Sequence, residues 1–250
     1  MDILKDMFGL EIVTYDKIVN KGKLIYSFIS EKKEVLINYY KYKDEIYVLA
    51  YKGVEAKFEN NTLFNKIDNI SNLAVKETYK KLKLNNAIEK SKNILNSLCI
   101  PYKNVPIFTK KMKYNERGFT YRVEGEVTKI EINETLLHHK IEEKTLINTL
   151  LHEFAHTCYG CFNHGEQWQK YVVKINGIGF NITQDSTEQL ELFARLSGVT
   201  PIYKAICSNN AEHIFLFFSE KEIANIENCV CGYHKNNGEK CRGKLKLIKC

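Results

Sequence analysis

His152-Glu153-Phe154-Ala155-His156 forms an HExxH pattern, and a third histidine, His164, follows after a further eight residues. On a helix, side chains four residues apart lie on one face, so His152 and His156 can present two imidazoles to a single metal ion. Glu153 then lies beside that ion, where a carboxylate can take a proton from a bound water. Gly160 is a helix-stopping residue, and a turn there can fold His164 back over the metal as a third donor. The gap from His156 to His164 is too long for HExxHxxGxxH. A downstream carboxylate, Glu188 or Glu191, is the alternative third ligand. Three protein donors with an open fourth position describe a hydrolytic zinc site, so the residues point to a zinc hydrolase.

These residues need a helix beneath them, and the sequence supplies one. Ile147, Leu150, Leu151, Phe154 and Cys158 recur at spacings of three and four, which predicts an amphipathic helix over 141–159 with the histidines on its flank. Upstream, 119–123 and 127–133 are strand-like runs separated by Glu124-Gly125-Glu126, a predicted hairpin. The second run alternates cleanly and is the candidate edge strand along which an extended substrate would lie. Pro101 and Pro106 bracket a loop or strand start. A short helix is expected around 134–139, another around Trp168, Tyr171 and Val172, and a third over 186–196. Residues 63–100 are predicted helical, with Leu73, Tyr79, Leu82, Ile88, Ile94 and Leu98 as core positions. The first sixty residues alternate with a period near two in 23–29, 34–40 and 45–51. They predict a small antiparallel meander with turns at Lys32-Lys33 and Lys43-Asp44, and Asn60-Asn61 marks a further turn.

Composition narrows the class. With 44% hydrophobic and 27% charged residues the chain is an ordinary globular protein. Its apolar runs are too short and too interrupted to span a membrane. The N-terminus has no basic region followed by an apolar core, so eight cysteines are expected as metal ligands or reduced thiols in the cytoplasm rather than as disulfides. Cys158 and Cys161 make a CxxC without the βαβ context of a redox motif, so they are read as a core residue and a free thiol. His138-His139 reads as solvated. The net charge of +7 is concentrated at the end, where Lys235, Lys240, Arg242, Lys244, Lys246 and Lys249 face only Glu239. Such a tail suits a polyanion, and equally a solvated surface. Lys110, Lys111, Lys113 and Arg117, interleaved with Tyr114, Phe119 and Tyr121, can grip single-stranded DNA by charge and stacking, or form the exposed face of a hairpin.

Taken in order, several stretches resemble the SprT-like metalloprotease family, which includes the DNA-dependent protease Spartan. They are KKMKYNERGFTYR, the alternating strand ending in Asn133, TLLHEFAH, His164-Gly165-x-x-Trp168, and Cys241-Arg242-Gly243-Lys244-Leu245. The resemblance covers about 86–250. It implies an α+β, zincin-like protease domain with His152, His156 and His164 as zinc ligands and Glu153 as general base. It also implies a protein substrate and an association with DNA. The tail is similar to the family's zinc ribbon in part: Cys207, Cys229, Cys231 and Cys241 are the expected ligands of a second, structural zinc, with His213, His234 or Cys250 as substitutes. The expected organisation is a β-rich region of unknown role over 1–85, the protease domain over 86–200 and a basic zinc-ribbon-like module over 201–250. Two rival readings are a nucleic-acid-binding zinc protein with an inactive protease domain, and a zinc hydrolase of small peptides or amides without nucleic acid.

Overall fold

A computed structural model of the chain describes residues 15–30, 35–52, 63–184, 188–224, 226–233 and 240–250. They form a mixed α+β structure that divides into two compact units, Met1–Lys83 and Leu84–Cys250. The second unit takes in both the 86–200 and the 201–250 segments.

In the first unit a helix, α1 (Tyr15–Lys21), precedes four antiparallel strands in sequential order: β1 (Lys23–Ile29), β2 (Val35–Tyr42), β3 (Glu45–Lys52) and β4 (Leu63–Lys66). Period-two alternation places Ile37, Tyr39 and Val48 together, where they pack with Ile67, Ile70, Val75 and Tyr79. Lys43 takes a positive φ in the tight turn that joins β2 to β3. The predicted helix over 63–100 needs correction at its start. Leu63–Lys66 pairs with β3 as a strand, because an open sheet edge offers this segment ladder hydrogen bonds that outweigh a weak helical preference. The helix proper, α2, is Leu73–Ser97, and Leu73 is 74% exposed rather than core. The turns expected at Lys32-Lys33 and Asn60-Asn61 lie outside the described residues.

Residues of α2 up to Lys83 count with the first unit, and the rest of the helix counts with the second. The second unit continues with β5 (Ile107–Lys110), β6 (Gly118–Val123) and β7 (Glu126–Asn133), then the helices α3 (Glu143–Thr157), α4 (Glu166–Asn176) and α5 (Leu190–Leu196). The last sheet is built from β8 (Tyr203–Cys207), β9 (Ile214–Phe217) and β10 (Leu245–Lys249). Glu124 and Gly125 both have positive φ, the backbone that a two-residue type I′ hairpin requires. The strand order, however, is β5-β7-β6, with β5 parallel to β7 and β6 antiparallel to it. Val127–Asn133 is therefore the central strand, and the strand available to an extended substrate is β6. The segment after Asn133 is a single 3-10 turn, Glu134–Leu137, capped by the Asn133 side chain, which accepts from the Thr135 amide.

α3 runs through the middle of this unit. Leu146, Leu150, Leu151, Phe154 and Ala155 are fully buried against Ile130 and Ile132 of β7 and against Trp168, Val172 and Ile175 of α4. A second stripe of the same helix, Thr145, Asn148, Thr149 and Glu153, is polar yet also buried. Buried polar groups need partners, and Thr149 and Thr157 donate back to the carbonyls of Thr145 and Phe154 at 3.0 and 2.7 Å. Phe154 meets Tyr102 edge-on, with ring centroids 5.2 Å apart. Truncating it to alanine is expected to destabilise this unit by about 3–5 kcal/mol. Chemical denaturation measures that loss, and a loss under about 1 kcal/mol would contradict the central place of this ring. Among the described residues no helix is long and apolar enough to cross a membrane.

Candidate metal centre and cleft

The chain from α3 into α4 brings three imidazoles to one point. His152 and His156 project from the last two turns of α3, which ends at Thr157. Gly160, with φ +76°, reverses the chain. Asn163 then accepts from the Gly165 amide at 3.0 Å, and the Gln169 side chain donates to the His164 carbonyl at 3.1 Å. The result is a near-equilateral triangle of Nε2 atoms, with His152–His156 and His156–His164 at 3.2 Å and His152–His164 at 3.1 Å.

The opposite edges of two rings explain why this triangle suits a cation. His152 Nδ1 donates to the Thr183 carbonyl at 3.1 Å and His156 Nδ1 donates to the Cys161 carbonyl at 2.9 Å. A carbonyl can only accept, so the proton of each ring is on Nδ1 and the Nε2 lone pairs face inward. Inward lone pairs at this spacing repel one another unless a cation lies between them. A tetrahedral ion with bonds of about 2.0–2.1 Å separates its nitrogen donors by about 3.3–3.4 Å, close to what is observed. Burial, with the neighbouring His156 and His164, pulls the His152 pKa down to about 3, so the ring is neutral as a metal donor must be. Trp168 walls the triangle, with ring centroids 5.0, 5.7 and 4.6 Å from His152, His156 and His164.

Glu153 is buried next to this set, and burial pushes its carboxyl up to about 7, opposed by a hydrogen bond from Thr120. Thr120 Oγ1 lies 2.8 Å from Glu153 Oε2 and 3.0 Å from the Glu153 carbonyl. A base with a pKa near neutrality is suited to taking a proton and returning it. Gly118, two residues back on β6, makes room for it: a Cβ there would stand 2.9 Å from both Cγ and Oε1 of Glu153. Gly118 does not have a positive φ, so alanine is penalised by contact alone. Gly118→Ala is expected to keep the metal and to lower turnover about tenfold or more by displacing the carboxylate. Comparing metal content with kcat checks this, and unchanged kcat would contradict it.

The other residues singled out by sequence separate clearly. Glu188 accepts from Asn148 Nδ2 at 2.8 Å, and Glu191 is ion-paired with Arg195 and Lys204, each at 3.0 Å. Neither joins the histidine group. Arg117, expected on an exposed basic face, is instead buried. It donates to the Glu188 carbonyl with its guanidinium 4.6 Å from the Phe193 ring centroid. Tyr114 packs edge-on against Phe218. Lys110, Lys111, Lys113 and Phe119 remain exposed. His138 and His139 stand outside the cleft lining. Cys158 and Cys161 are buried thiols, and burial raises both, Cys158 to about 12, which makes them poor nucleophiles.

A second donor group gathers Cys207, His213, Cys231 and Cys241, with ligand atoms within 4.8 Å of one another. Cys229, expected in this set, is exposed and outside it, and His213 takes the fourth corner. The cause is local. Cys229 follows a 3-10 turn, Ile226–Asn228, whereas Cys231 is held at both backbone ends, its amide by Gly243 and its carbonyl by Arg242.

A cleft of about 760 Å³ opens over the histidines. One wall is β6, from Gly118 to Thr120 with Arg122, and the other is β9 with Tyr233. Sequence reasoning missed Gly118, Thr120 and this second wall. A glycine before an aromatic in KYNERGFTYR was the sole available hint.

Two histidines one helical turn apart, a carboxylate between them and a third imidazole from the next turn make a donor set that could hold a metal ion. Residues 73–188 match the SprT-like family, so this stretch of the chain is SprT-like, and the match ends before the cysteine-bearing tail. Comparison with curated proteins and with solved structures finds no match for the chain.

Proposed function

We propose that this chain is a zinc-dependent metallopeptidase with a zincin-like catalytic domain that cleaves peptide bonds in extended protein segments. The observation that carries this reading is the convergence of three inward-facing Nε2 atoms, 3.1–3.2 Å apart, beside a buried carboxylate. His152, His156 and His164 would hold the ion. When bound, zinc supplies Lewis acidity toward the scissile carbonyl and brings the pKa of a water to near 7. Glu153 accepts the proton of the attacking water and passes it to the leaving amine. Thr120 fixes the carboxylate for both transfers, and Gly118 leaves it space. The exposed edge of β6 pairs with the substrate backbone, which requires an unfolded segment.

Association with single-stranded DNA is the second part of the proposal. Exposed Lys240, Arg242, Lys244, Lys246 and Lys249, together with exposed Lys110, Lys111 and Lys113, support a salt-dependent contact with phosphates. The free thiols support a reducing compartment such as the cytoplasm. The test is hydrolysis of casein and of the chain itself, with zinc, with and without single-stranded DNA. Cleavage is expected, with a DNA affinity that falls as salt rises. DNA binding without any cleavage would favour an inactive zinc protein, and cleavage without salt-dependent DNA binding would favour a simple peptide hydrolase.

A further inference from the structure

We propose that Asn176, the last residue of α4, is a positioning residue for the histidine triangle. By clamping Ile182 it sets the Thr183 carbonyl, which orients His152, and so raises the affinity of the triangle for its ion. This rests on the metal-binding part of the peptidase reading and not on which bond is cleaved.

The hydrogen bonds behind His152 and His156 are built differently. His156 donates from Nδ1 to the Cys161 carbonyl, 5 residues on and just past the end of its own helix. His152 donates to the Thr183 carbonyl at 3.1 Å, and that carbonyl lies 31 residues downstream. Local geometry cannot fix so distant an acceptor, so another group has to hold it where the ring needs it. An imidazole without that acceptor turns about its side-chain torsions, and ordering it at the moment of metal binding costs affinity.

Asn176 supplies the hold. After α4 the Gly177 and Ile178 amides donate to the Val173 and Ile175 carbonyls, and Gly179 takes a φ of +96°, a backbone that side chains disfavour. The chain thereby turns back and passes beside Asn176. Asn176 Nδ2 donates to the Ile182 carbonyl at 2.9 Å, and the Ile182 amide donates to Asn176 Oδ1 at 2.7 Å. A single carboxamide, which is donor and acceptor at once, pairs both main-chain groups of one residue. The Ile182 side chain is buried in the same core as Ile175. That burial is non-directional and sets where Ile182 sits, not which way its peptide groups point. The two hydrogen bonds do set that direction. They fix the planar peptide between Ile182 and Thr183, and one residue's torsions then separate this plane from the carbonyl that receives His152. Thr183 and Ile182 also line the cleft, so the same clamp shapes the floor beside the triangle.

The test compares wild type with Asn176→Ala, Asn176→Asp and Val172→Ala in chain carrying 15N-labelled histidine. Val172 is buried one turn earlier on α4, so its truncation loosens the core but leaves the clamp. Zinc is titrated away with a chelator while the His152 and His156 ring resonances report occupancy of the triangle alone. Solvent exchange of the two Nδ1 protons is read in the zinc-loaded proteins. Asn176→Ala is expected to weaken zinc at the triangle about 10–100-fold, the cost of losing an outer orienting group. It is also expected to speed exchange of the His152 proton about tenfold or more through local opening, with the His156 proton unchanged. Asn176→Asp keeps the acceptor and loses the donor, and falls between wild type and Asn176→Ala. Val172→Ala is expected to hold zinc within about twofold of wild type and to move both protons together, as global loosening does. Wild-type affinity in Asn176→Ala overturns the proposal, as does equal acceleration of both protons, which marks a purely structural role. Should Asn176→Ala fail to fold, wild-type affinity and exchange in Asn176→Asp overturn it alone. A wild type that holds zinc at the triangle yet cleaves nothing shows failure of the peptidase reading instead, and the affinity and exchange series still decides this proposal. A wild type whose triangle holds no zinc overturns both.

Discussion

Replacing Glu153 by glutamine is expected to leave the zinc content of the histidine site unchanged and to lower peptide turnover by about 10²–10⁴-fold, the usual worth of general acid–base catalysis. The substitution is nearly isosteric in a place where size matters, since β6 closes on Glu153 at Gly118. A glutamine side-chain oxygen can still accept from Thr120, which lies 2.8 Å from the carboxylate it replaces. What is lost is the ability to hold a proton and return it. Folding is not expected to suffer, because burial already disfavours the charged carboxylate and pushes it up to about 7. Turnover within threefold of wild type would remove Glu153 from the chemistry.

His164→Ala is expected to weaken zinc binding at this site by more than the roughly 10–100-fold that a change in an outer, orienting group costs. His164 supplies one of three donors, so two imidazoles remain on α3, and Trp168 loses a neighbour whose ring centroid stood 4.6 Å away. A competitive chelator titration measures the loss. An unchanged affinity would mean that another side chain closes the metal set. The structure makes Glu188 and Glu191 poor candidates, because Asn148 holds the first and Arg195 and Lys204 hold the second.

The legible parts of this chain were those where chemistry and local geometry coincide. His152, Glu153 and His156 are read from one helical turn, and the apolar spacing that calls for the helix lies in the same residues. Glu124-Gly125 identifies its hairpin because left-handed backbone is a local demand. Longer-range pairing was not legible. β7 looks like an edge strand by its alternation, yet β5 returns to pair with its free side. That parallel pairing joins residues more than twenty positions apart, and no pattern within either strand announces it. Leu63–Lys66 follows the same rule, since its pairing with β3 decides its state. The second donor group shows a subtler limit. Cys229 and Cys231 are equally plausible by type and spacing, and the selection is made by backbone bonds from Gly243 and Arg242 to Cys231. Thr120 and Gly118 acquire meaning only once β6 is laid against α3.

The most direct test of the catalytic account is turnover of unfolded casein by the zinc-loaded chain, by the same protein stripped with a chelator, and by the stripped protein after zinc is restored. Cleavage is predicted to disappear on stripping and to return with zinc in the wild type, and to be absent throughout in Glu153→Gln. Cleavage that survives metal removal, or that Glu153→Gln retains in full, would contradict a mechanism built on His152, Glu153, His156 and His164.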